Sequence, residues 1–390
     1  MELLNFIKTH DNWEELLTAQ PYCLKISRKH PFICFKYSQI DSDFSLQIVR
    51  EARGIIFNEE TWEVCARGFD KFFNYGEPNA AHIDFYKTTS VTEKIDGSLF
   101  KVWYSTVDRN WHISTNSTID AADAPLNCVL EGAPNNFSEL FYRALKKAGY
   151  YSVYALMLDR QIAMKPIIGW TFLFEVVSPY NRVVIPYEDI EIYFLGARNN
   201  QTGEWDMGNY FKYIWSPRNI AAKCPSLKRV IEIAESYPWT KEGFVVFDGV
   251  NRVKVKSPAY VRAHYARNNG AMTLHSLFDV IINNEIGEFL TYCSECKDLL
   301  YTLGHFMENY IAAIDNRIQF LNFDMPRKEF AEQVKAISKG KNIPFFAPSA
   351  FKAYDAYTNG ATYSFRNWCK CLNGRDWEKV FKETHANPIV

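Results

Sequence analysis

The sequence changes character near residue 270. Before this point, short segments rich in β-branched and aromatic residues are separated by turn-forming residues, which is typical of strands. After it, apolar residues recur at the three- and four-residue spacing of amphipathic helices. We therefore predict two domains, a mixed strand and helix domain over residues 1–268 and a helical domain over residues 269–390.

Local patterns predict individual elements within this outline. Alternating or continuous apolar runs predict strands at 53–57, 62–66, 99–104, 111–115, 172–177, 183–186, 191–195, 243–247 and 252–256. Helical spacing predicts helices at 5–17, 136–148, 274–282, 297–320, 327–337 and 349–357. The strands at 53–57 and 62–66, and those at 243–247 and 252–256, are expected to form hairpins.

Composition excludes several classes of protein. With 47% hydrophobic residues in 390, the chain can bury a large core and is not a disordered, collagen-like or coiled-coil protein. Its 44 basic and 45 acidic residues nearly cancel, so binding to nucleic acid requires a local concentration of cations. Nine scattered cysteines, no signal-peptide pattern and no apolar run of about 18 residues lead us to expect a soluble intracellular protein.

The segment Glu93-Lys94-Ile95-Asp96-Gly97-Ser98 is the sharpest chemical signal. Lys94 ends a strand-like run, and a lysine amine becomes a nucleophile where a dry pocket or nearby cations lower its pKa. Asp96 is placed to orient a ribose or the lysine, and Gly97 allows a tight turn against a ligand. The same residues also suit a solvated hairpin turn.

The segment Arg252-Val253-Lys254-Val255-Lys256 places like charges close together. A strand alternates its faces, so Lys254 and Lys256 point one way and the valines the other. The repulsion between adjacent ammonium groups lowers the stability of the fold unless an anion lies between them. The alternative is an exposed edge strand with solvated lysines.

Four further charged residues stand in or beside apolar segments. Glu175 interrupts the run 172–177, and Glu242 precedes the strand 243–247. A buried carboxylate needs a partner, so both are candidates for a site or for structural hydrogen bonding. Arg53 begins a strand, and Lys71 follows a strand within an aromatic cluster. Both cations could bind phosphate oxygens, and both could equally be surface residues.

The order of these motifs resembles that of the covalent nucleotidyltransferases, and in detail that of the RNA ligase 1 family of T-even phages. The resemblance covers about residues 30–262. The matching segments are Arg53–Phe57, Lys71–Asn74, Glu93–Leu99, Phe174–Val177, Asn181–Val184, Glu242–Val245 and Lys254–Ser257. It implies an α+β fold: an adenylation domain of antiparallel sheets with flanking helices, followed by an all-helical domain that would confer RNA specificity.

The resemblance also implies an ATP-dependent RNA ligase that acts in three steps. Lys94 would attack the α-phosphate of ATP, AMP would pass to an RNA 5′-phosphate, and the 3′-hydroxyl would displace AMP. Lys94, Lys254 and Lys256 take catalytic roles, and Glu242 acts around Mg²⁺ or Mn²⁺. The ATP-binding residues that the resemblance implies are Tyr37, Arg53, Lys71, Glu93, Lys94, Asp96, Gly97, Glu175, Lys254 and Lys256.

The implied partners are single-stranded RNA or the nicked anticodon loop of a tRNA, as in RNA repair, with a polynucleotide kinase/phosphatase acting upstream. The implied location is the cytoplasm or a phage- or virus-infected cell. DNA ligases and capping guanylyltransferases share the lysyl-nucleotide chemistry, but they continue into a β-barrel where this chain becomes helical. A catalytically silent RNA-binding relative is the alternative from another class.

Three features depart from this pattern or stand outside it. Asn116 occupies a position where the family carries a basic residue, and residues 120–165 form a longer segment than the family core. Cys293, Cys296, Cys369 and Cys371 could in principle bind zinc, although the second pair has the wrong spacing and buried or surface thiols are the simpler interpretation.

Overall fold

The computed structural model describes residues 1–86, 90–128, 130–158, 167–208, 211–265, 273–292, 294–338 and 343–386. Contacts divide the chain into two compact units, Met1–His264 and Tyr265–Val390. The predicted boundary at residue 268 lies outside the described ranges. Within those ranges, no helix has both the length and the apolarity needed to cross a lipid bilayer.

The first unit is built from strands and short helices. The strands are β1 (Lys25–Lys29), β2 (Phe32–Lys36), β3 (Arg53–Asn58), β4 (Val64–Ala66), β5 (Ser90–Glu93), β6 (Ser98–Ser105), β7 (Asn110–Ser114), β8 (Trp170–Val177), β9 (Glu191–Asn199), β10 (Trp205–Asp206), β11 (Gly243–Phe247) and β12 (Arg252–Lys256). The helices are α1 (Glu2–Thr9), α2 (Trp13–Thr18), α3 (Gln47–Glu51), α4 (Phe137–Lys147), α5 (Val153–Met157), α6 (Leu227–Glu235) and α7 (Pro258–Tyr265).

The strands form three antiparallel sheets. Their orders are β1-β2-β3-β4, β10-β9-β8-β6-β7 and β12-β11-β5. The first sheet packs one face on α1–α3 and the other on Trp103 of β6. The second packs on α4 and α5, and the third on α6. The predicted α+β class and antiparallel sheets are confirmed.

The described residues of the second unit form helices joined by turns and irregular segments, with no strand. Its helices are α8 (Leu274–Ile282), α9 (Ile286–Tyr292), α10 (Lys297–Gln319), α11 (Arg327–Ser338), α12 (Phe346–Thr358), α13 (Phe365–Trp368) and α14 (Gly374–Ala386). Phe278, Tyr310 and Trp377 are buried in its core. The helices predicted at 274–282, 297–320, 327–337 and 349–357 agree with this structure to within a few residues at their ends.

Two predicted elements are wrong. Residues 183–186 form no strand, because the backbone N–H groups of Val184 and Ile185 donate to the carboxylate of Asp96 instead of to a neighbouring strand. The helix predicted over 5–17 is two helices, α1 and α2. Helix α1 ends at Thr9, because the next residue, His10, has an extended backbone (φ −128°, ψ 115°), and a polar turn follows.

Candidate active site

A cavity of about 410 Å³ lies between the second and third sheets of the first unit. Strands β5, β11 and β12 supply one wall, and β6, β8 and β9 supply the other. Seven of the predicted site residues line it: Arg53, Glu93, Lys94, Gly97, Glu175, Lys254 and Lys256. Residues that lie up to about 200 positions apart in the chain therefore meet at one place.

Strand register brings Lys94 to Glu242. Phe244 of β11 pairs with Glu93 at the end of β5, and the backbone N–H of Lys94 donates to the carbonyl of Gly243 at 2.9 Å. Lys94 Nζ then donates to Glu242 Oε2 at 2.8 Å. The Glu242 side chain is only 3% exposed, whereas that of Lys94 is 24% exposed and borders the cavity.

The opposite strand brings Lys256 to the same carboxylate. Gly243 pairs with Lys256, and Lys256 Nζ lies 3.5 Å from Glu242 Oε1. Gly243 has φ +135°, and a Cβ there would lie 2.1 Å from the carbonyl oxygen of Val255. Only glycine permits this approach of β11 to β12, so Gly243 is what allows Glu242 to hold two ammonium groups.

The alternation predicted for β12 is observed. Val253 and Val255 are buried in the third sheet's core, whereas Lys254 and Lys256 line the cavity. Residues 73–75 run along the outer edge of β12, where Lys254 N–H donates to Phe73 at 3.0 Å and Tyr75 N–H donates to Lys254 at 2.8 Å. The strand is therefore covered at the edge that the alternative interpretation left exposed.

Arg53 carries unused hydrogen-bonding capacity at the cavity wall. Its Nε and Nη1 atoms are buried, and among the described residues neither has a hydrogen-bond partner. Its guanidinium lies over Phe72, 5.6 Å from the ring centre, and Lys254 Nζ lies 5.3 Å from the same centre. Buried guanidinium donors without acceptors suit an anionic ligand, since an unsatisfied buried donor is costly.

Burial raises the pKa of Glu175 to about 7. The side chain projects from β8 into the cavity, where Lys94 and Arg53 lower that pKa and Glu242 and Asp96 raise it. Desolvation of the carboxylate outweighs the nearby cations. Glu175 is therefore a carboxyl group that changes its charge near neutral pH.

This shift gives a pH-dependent prediction. Between the ordinary carboxyl pKa and about 7, the folded protein keeps the Glu175 proton that the unfolded chain has lost, so the stabilisation from this proton declines as pH rises through that interval. We expect the Tm of the wild type, relative to that of Glu175→Gln, to fall between pH 5 and pH 7.5 and then to level off. Thermal unfolding in buffers of equal ionic strength measures this Tm difference. A difference that stays constant with pH would contradict the raised pKa of Glu175.

Asp96 and Gly97 have packing roles that local sequence patterns do not reveal. Asp96 is buried and lies behind the cavity wall, where it accepts hydrogen bonds from Val184 N–H (3.0 Å), Ile185 N–H (2.8 Å) and Tyr260 Oη–H (2.7 Å). A Cβ at Gly97 would lie 2.5 Å from the carbonyl oxygen of Val176, so glycine lets the chain cross β8 closely.

Lys71 and Tyr37 lie away from the main cavity. Lys71 Nζ faces the rings of Phe44, Tyr37 and Phe73 at 4.8, 5.3 and 5.7 Å. Tyr37 packs on Phe44 in the core of the first sheet and lines neither cavity. Lys71 lines a smaller second cavity instead.

Other cavity residues had weak sequence signals or none. Asn116 lines the cavity beside Gly54, where a Cβ would lie 2.6 Å from the Asn116 carbonyl oxygen. Arg252 lines it too, and the alternation of β12 could have identified it, because it lies on the face of Lys254. Lys101, which does not line the cavity, is fully buried and donates to the carbonyl of Gly54; burial lowers its pKa to about 8.

The donor set fits a hard divalent cation. Glu93 and Glu175 both line the cavity, and Mg²⁺ or Mn²⁺ binds through one or two carboxylates together with phosphate oxygens and waters. The Glu93 carboxylate also lies 3.6 Å from Arg218 Nε. Glu242, the predicted metal residue, is engaged with Lys94 and Lys256. Across the described ranges no cluster of three or more His, Cys, Asp or Glu side chains is arranged around a metal, and Cys293 of the considered zinc set lies outside them.

Comparison with known proteins gives one family match. The model of the family described as RNA ligase matches residues 51–260, more than half of the chain. This range contains every residue that lines the main cavity, from Arg53 to Lys256.

Curated relatives carry similar names. A putative bifunctional polynucleotide kinase/RNA ligase of Autographa californica nuclear polyhedrosis virus is 27% identical over 71% of this chain and 40% of its own length. A putative RNA ligase of Thermovibrio ammonificans is 32% identical over 62% of this chain and 60% of its own. RNA ligase 1 of bacteriophage TS2126 is 27% identical over 80% of this chain and 77% of its own length. The chain thus spans less than two thirds of the first two relatives.

Proposed function

The chain belongs to the T4 RNA ligase 1 family of RNA ligases, and from this we propose that it is an ATP-dependent RNA ligase joining 5′-phosphate and 3′-hydroxyl RNA ends. The reaction would proceed through lysyl-AMP and RNA-adenylate. The observation that carries the proposal is the position of Lys94 Nζ, at the cavity surface, 2.8 Å from a buried carboxylate that Lys256 also contacts.

In the first step, Lys94 needs an unprotonated amine. Glu242 accepts a hydrogen bond from Nζ and is the nearest group that can hold its proton. The bond from Nζ to the α-phosphorus forms as the α–β phosphoanhydride bond breaks, and pyrophosphate leaves.

The cationic side chains stabilise the charge that develops at phosphorus. Lys254 and Lys256 line the cavity from β12, and Arg53 presents its free N–H groups from β3. Glu175 is assigned to the ribose hydroxyls, which a carboxyl group can bind whether it is charged or neutral. Bound Mg²⁺ or Mn²⁺, held by cavity carboxylates, would supply further positive charge on the phosphates.

The second and third steps use the same groups. An RNA 5′-phosphate oxygen attacks the adenylate phosphorus, and Lys94 Nζ leaves as an amine that regains a proton. The RNA 3′-hydroxyl then attacks the activated 5′-phosphate and AMP departs. Glu93, Asp96 and Gly97 are proposed to shape the nucleotide pocket, with Asp96 acting through the chain segment 184–185 that it anchors.

The proposal extends to substrate and context. The helical second unit is assigned to RNA specificity, with single-stranded ends or a nicked tRNA anticodon loop as substrate. A kinase/phosphatase activity would supply 5′-phosphate ends, which the kinase portion of the baculovirus relative's name supports. An intracellular location, cytoplasmic or in an infected cell, would supply ATP and Mg²⁺.

Covalent labelling tests the proposal. The purified protein is incubated with Mg²⁺ and α-labelled ATP and resolved on a denaturing gel. We expect a labelled band of about 45 kDa. Its label should be stable in alkali and released by acid, as expected for a phosphoramidate bond. An unlabelled wild type would overturn the proposal. Label from GTP instead would indicate a capping enzyme.

The substrate is tested by joining. Oligoribonucleotides with a 5′-phosphate and a 3′-hydroxyl should be circularised or joined in the presence of ATP, whereas matched deoxyribonucleotides should be joined at most weakly. Preference for nicked duplex DNA would indicate a DNA ligase. Labelled protein that joins neither nucleic acid would leave the adenylation proposal standing and contradict the RNA one.

A further inference from the structure

A second cavity, of about 220 Å³, adjoins the main one in the first unit. The two share a wall formed by Phe69, Phe72 and Arg252. The remaining wall of the second cavity includes Arg50, Lys71 and Arg198. No predicted site residue other than Lys71 lies in this cavity.

The second cavity has an excess of positive charge. Four of its lining residues are cationic, and its one lining carboxylate, Asp70, is taken by Arg198, whose Nη1 and Nη2 donate to it at 2.8 and 2.9 Å. Among the described residues, Arg50, Lys71 and Arg252 form no ion pair with a carboxylate. Arg50 Nε is also buried without a hydrogen-bond partner in that part of the chain.

Arg252 is held by aromatic rings rather than by a counter-charge. Its guanidinium lies 3.7 Å from the ring centre of Phe247, 3.8 Å from that of Trp205 and 5.1 Å from that of Phe69. Burial lowers its pKa, and the positive charge of Arg198 lowers it further. A cation kept in such a place is stabilised when an anion enters the cavity beside it.

Strand β12 connects this cation to the chemistry at Lys94. Arg252, Lys254 and Lys256 share one face of the strand and all three line the main cavity. At about 3.3 Å per residue, they form a row about 13 Å long. The row begins at Glu242 and ends where the second cavity opens.

The order of the steps requires a binding position for an anion on the side of the α-phosphate opposite Lys94. Displacement at phosphorus places the attacking and leaving groups roughly in line. In the first step Lys94 attacks and pyrophosphate leaves from the opposite side, and in the second step the RNA 5′-phosphate attacks from that side while Lys94 leaves. The position that releases pyrophosphate must therefore receive the RNA end.

We propose that the second cavity, with Arg252 at its entrance, is the binding site for the 5′-phosphate of the RNA during adenylyl transfer. This inference depends on the proposed function. ATP is also anchored by its adenosine in the main cavity, whereas the RNA end has no such anchor there. Loss of Arg252 should therefore weaken the second step more than the first.

Single-turnover kinetics separate the two steps. Arg252→Gln and wild type are first loaded with labelled AMP, giving the rate of the first step. The isolated lysyl-AMP proteins are then mixed with 5′-phosphorylated RNA without ATP, at fixed ionic strength. We expect the RNA concentration for half-maximal transfer to rise about tenfold or more, and the first step to change much less.

Two further variants provide a second test of the cavity and a control. Arg50→Gln, on α3, should give the same pattern in weaker form. Arg229→Gln, an exposed arginine of α6 paired with Glu232, should leave both steps at the wild-type level. Equal losses in the two steps would overturn the proposal in favour of a site for the phosphates of ATP alone, and unchanged transfer would also overturn it.

A binding measurement keeps the test independent of catalysis. Fluorescence anisotropy compares 5′-phosphorylated with 5′-hydroxyl RNA of the same sequence on the unadenylated protein. The wild type should prefer the phosphorylated RNA severalfold, and Arg252→Gln should lose this preference. If no lysyl-AMP forms, the proposed function fails, while this comparison still decides whether the second cavity binds a terminal phosphate.

Discussion

A Lys94→Arg variant is expected to form no detectable lysyl-AMP, a loss of about 1,000-fold or more in the first step. Arginine keeps the positive charge that pairs with Glu242, so the fold and the local charge balance are retained. However, a guanidinium does not lose its proton at accessible pH and cannot serve as the nucleophile. Labelling with α-labelled ATP, followed by a denaturing gel, measures the loss.

A matched control uses a lysine outside the site. Lys29 pairs with Asp120 and Asp123 at 3.0 and 2.8 Å, so Lys29→Arg makes the same chemical change in another ion-paired lysine. It should be labelled as fast as the wild type. Label persisting in Lys94→Arg would show that a different residue carries the adenylate.

Replacing Asp96 with alanine is expected to destabilise the first unit by about 4 kcal/mol, because it removes the shared acceptor of three buried hydrogen bonds at a cost of about 1–3 kcal/mol each. The donors are the N–H groups of Val184 and Ile185 and the hydroxyl of Tyr260. Denaturant unfolding followed by tryptophan fluorescence gives the change in free energy.

The hydroxyl alone can be removed as a comparison. Tyr260→Phe deletes one of the three donors and leaves the carboxylate bonded to the backbone, so it should cost only about 1 kcal/mol. Were Asp96→Ala as stable as the wild type while nucleotide binding was lost, Asp96 would contact the ligand directly rather than anchor residues 184–185.

Local patterns were sufficient for the strands that flank the cavity. Strand β12 was predicted residue for residue, because the alternation of valine with lysine reports directly which face is buried. The helical second unit followed from apolar spacing in the same way. Such patterns depend only on residues that are close in sequence, so they can be recognised without knowledge of the tertiary structure.

The pairing of side chains could not be predicted from local patterns. Glu242 contacts Lys94 across 148 positions of sequence, and only the β5–β11–β12 register makes that pair. Likewise, Val184 and Ile185 look like a strand because they are β-branched and buried, but their N–H groups are satisfied by a side chain. Burial predicts that a hydrogen bond must exist without naming its acceptor.

The motif order predicted which residues assemble but not their depth in the structure. Lys254 and Lys256 reach the cavity as predicted from alternation, whereas Asp96 lies one layer behind it and Lys71 lies in the adjoining cavity. The aromatic residues around Lys71 hinted at a surrounded ammonium group. Which cavity it borders depends on how residues 71–75 run along β12.

On the proposed mechanism, the charge around Glu242 changes during the reaction, because two ammonium groups share this carboxylate. Once Lys94 Nζ is bonded to phosphorus it carries no positive charge, and Glu242 retains only Lys256. The loaded protein therefore has one fewer cation facing a carboxylate that is otherwise enclosed. Adenylation should thus leave Glu242 Oε2 facing only the neutral N–H of the phosphoramidate, and the ion pair with Lys94 should form again when the amine departs and regains its proton.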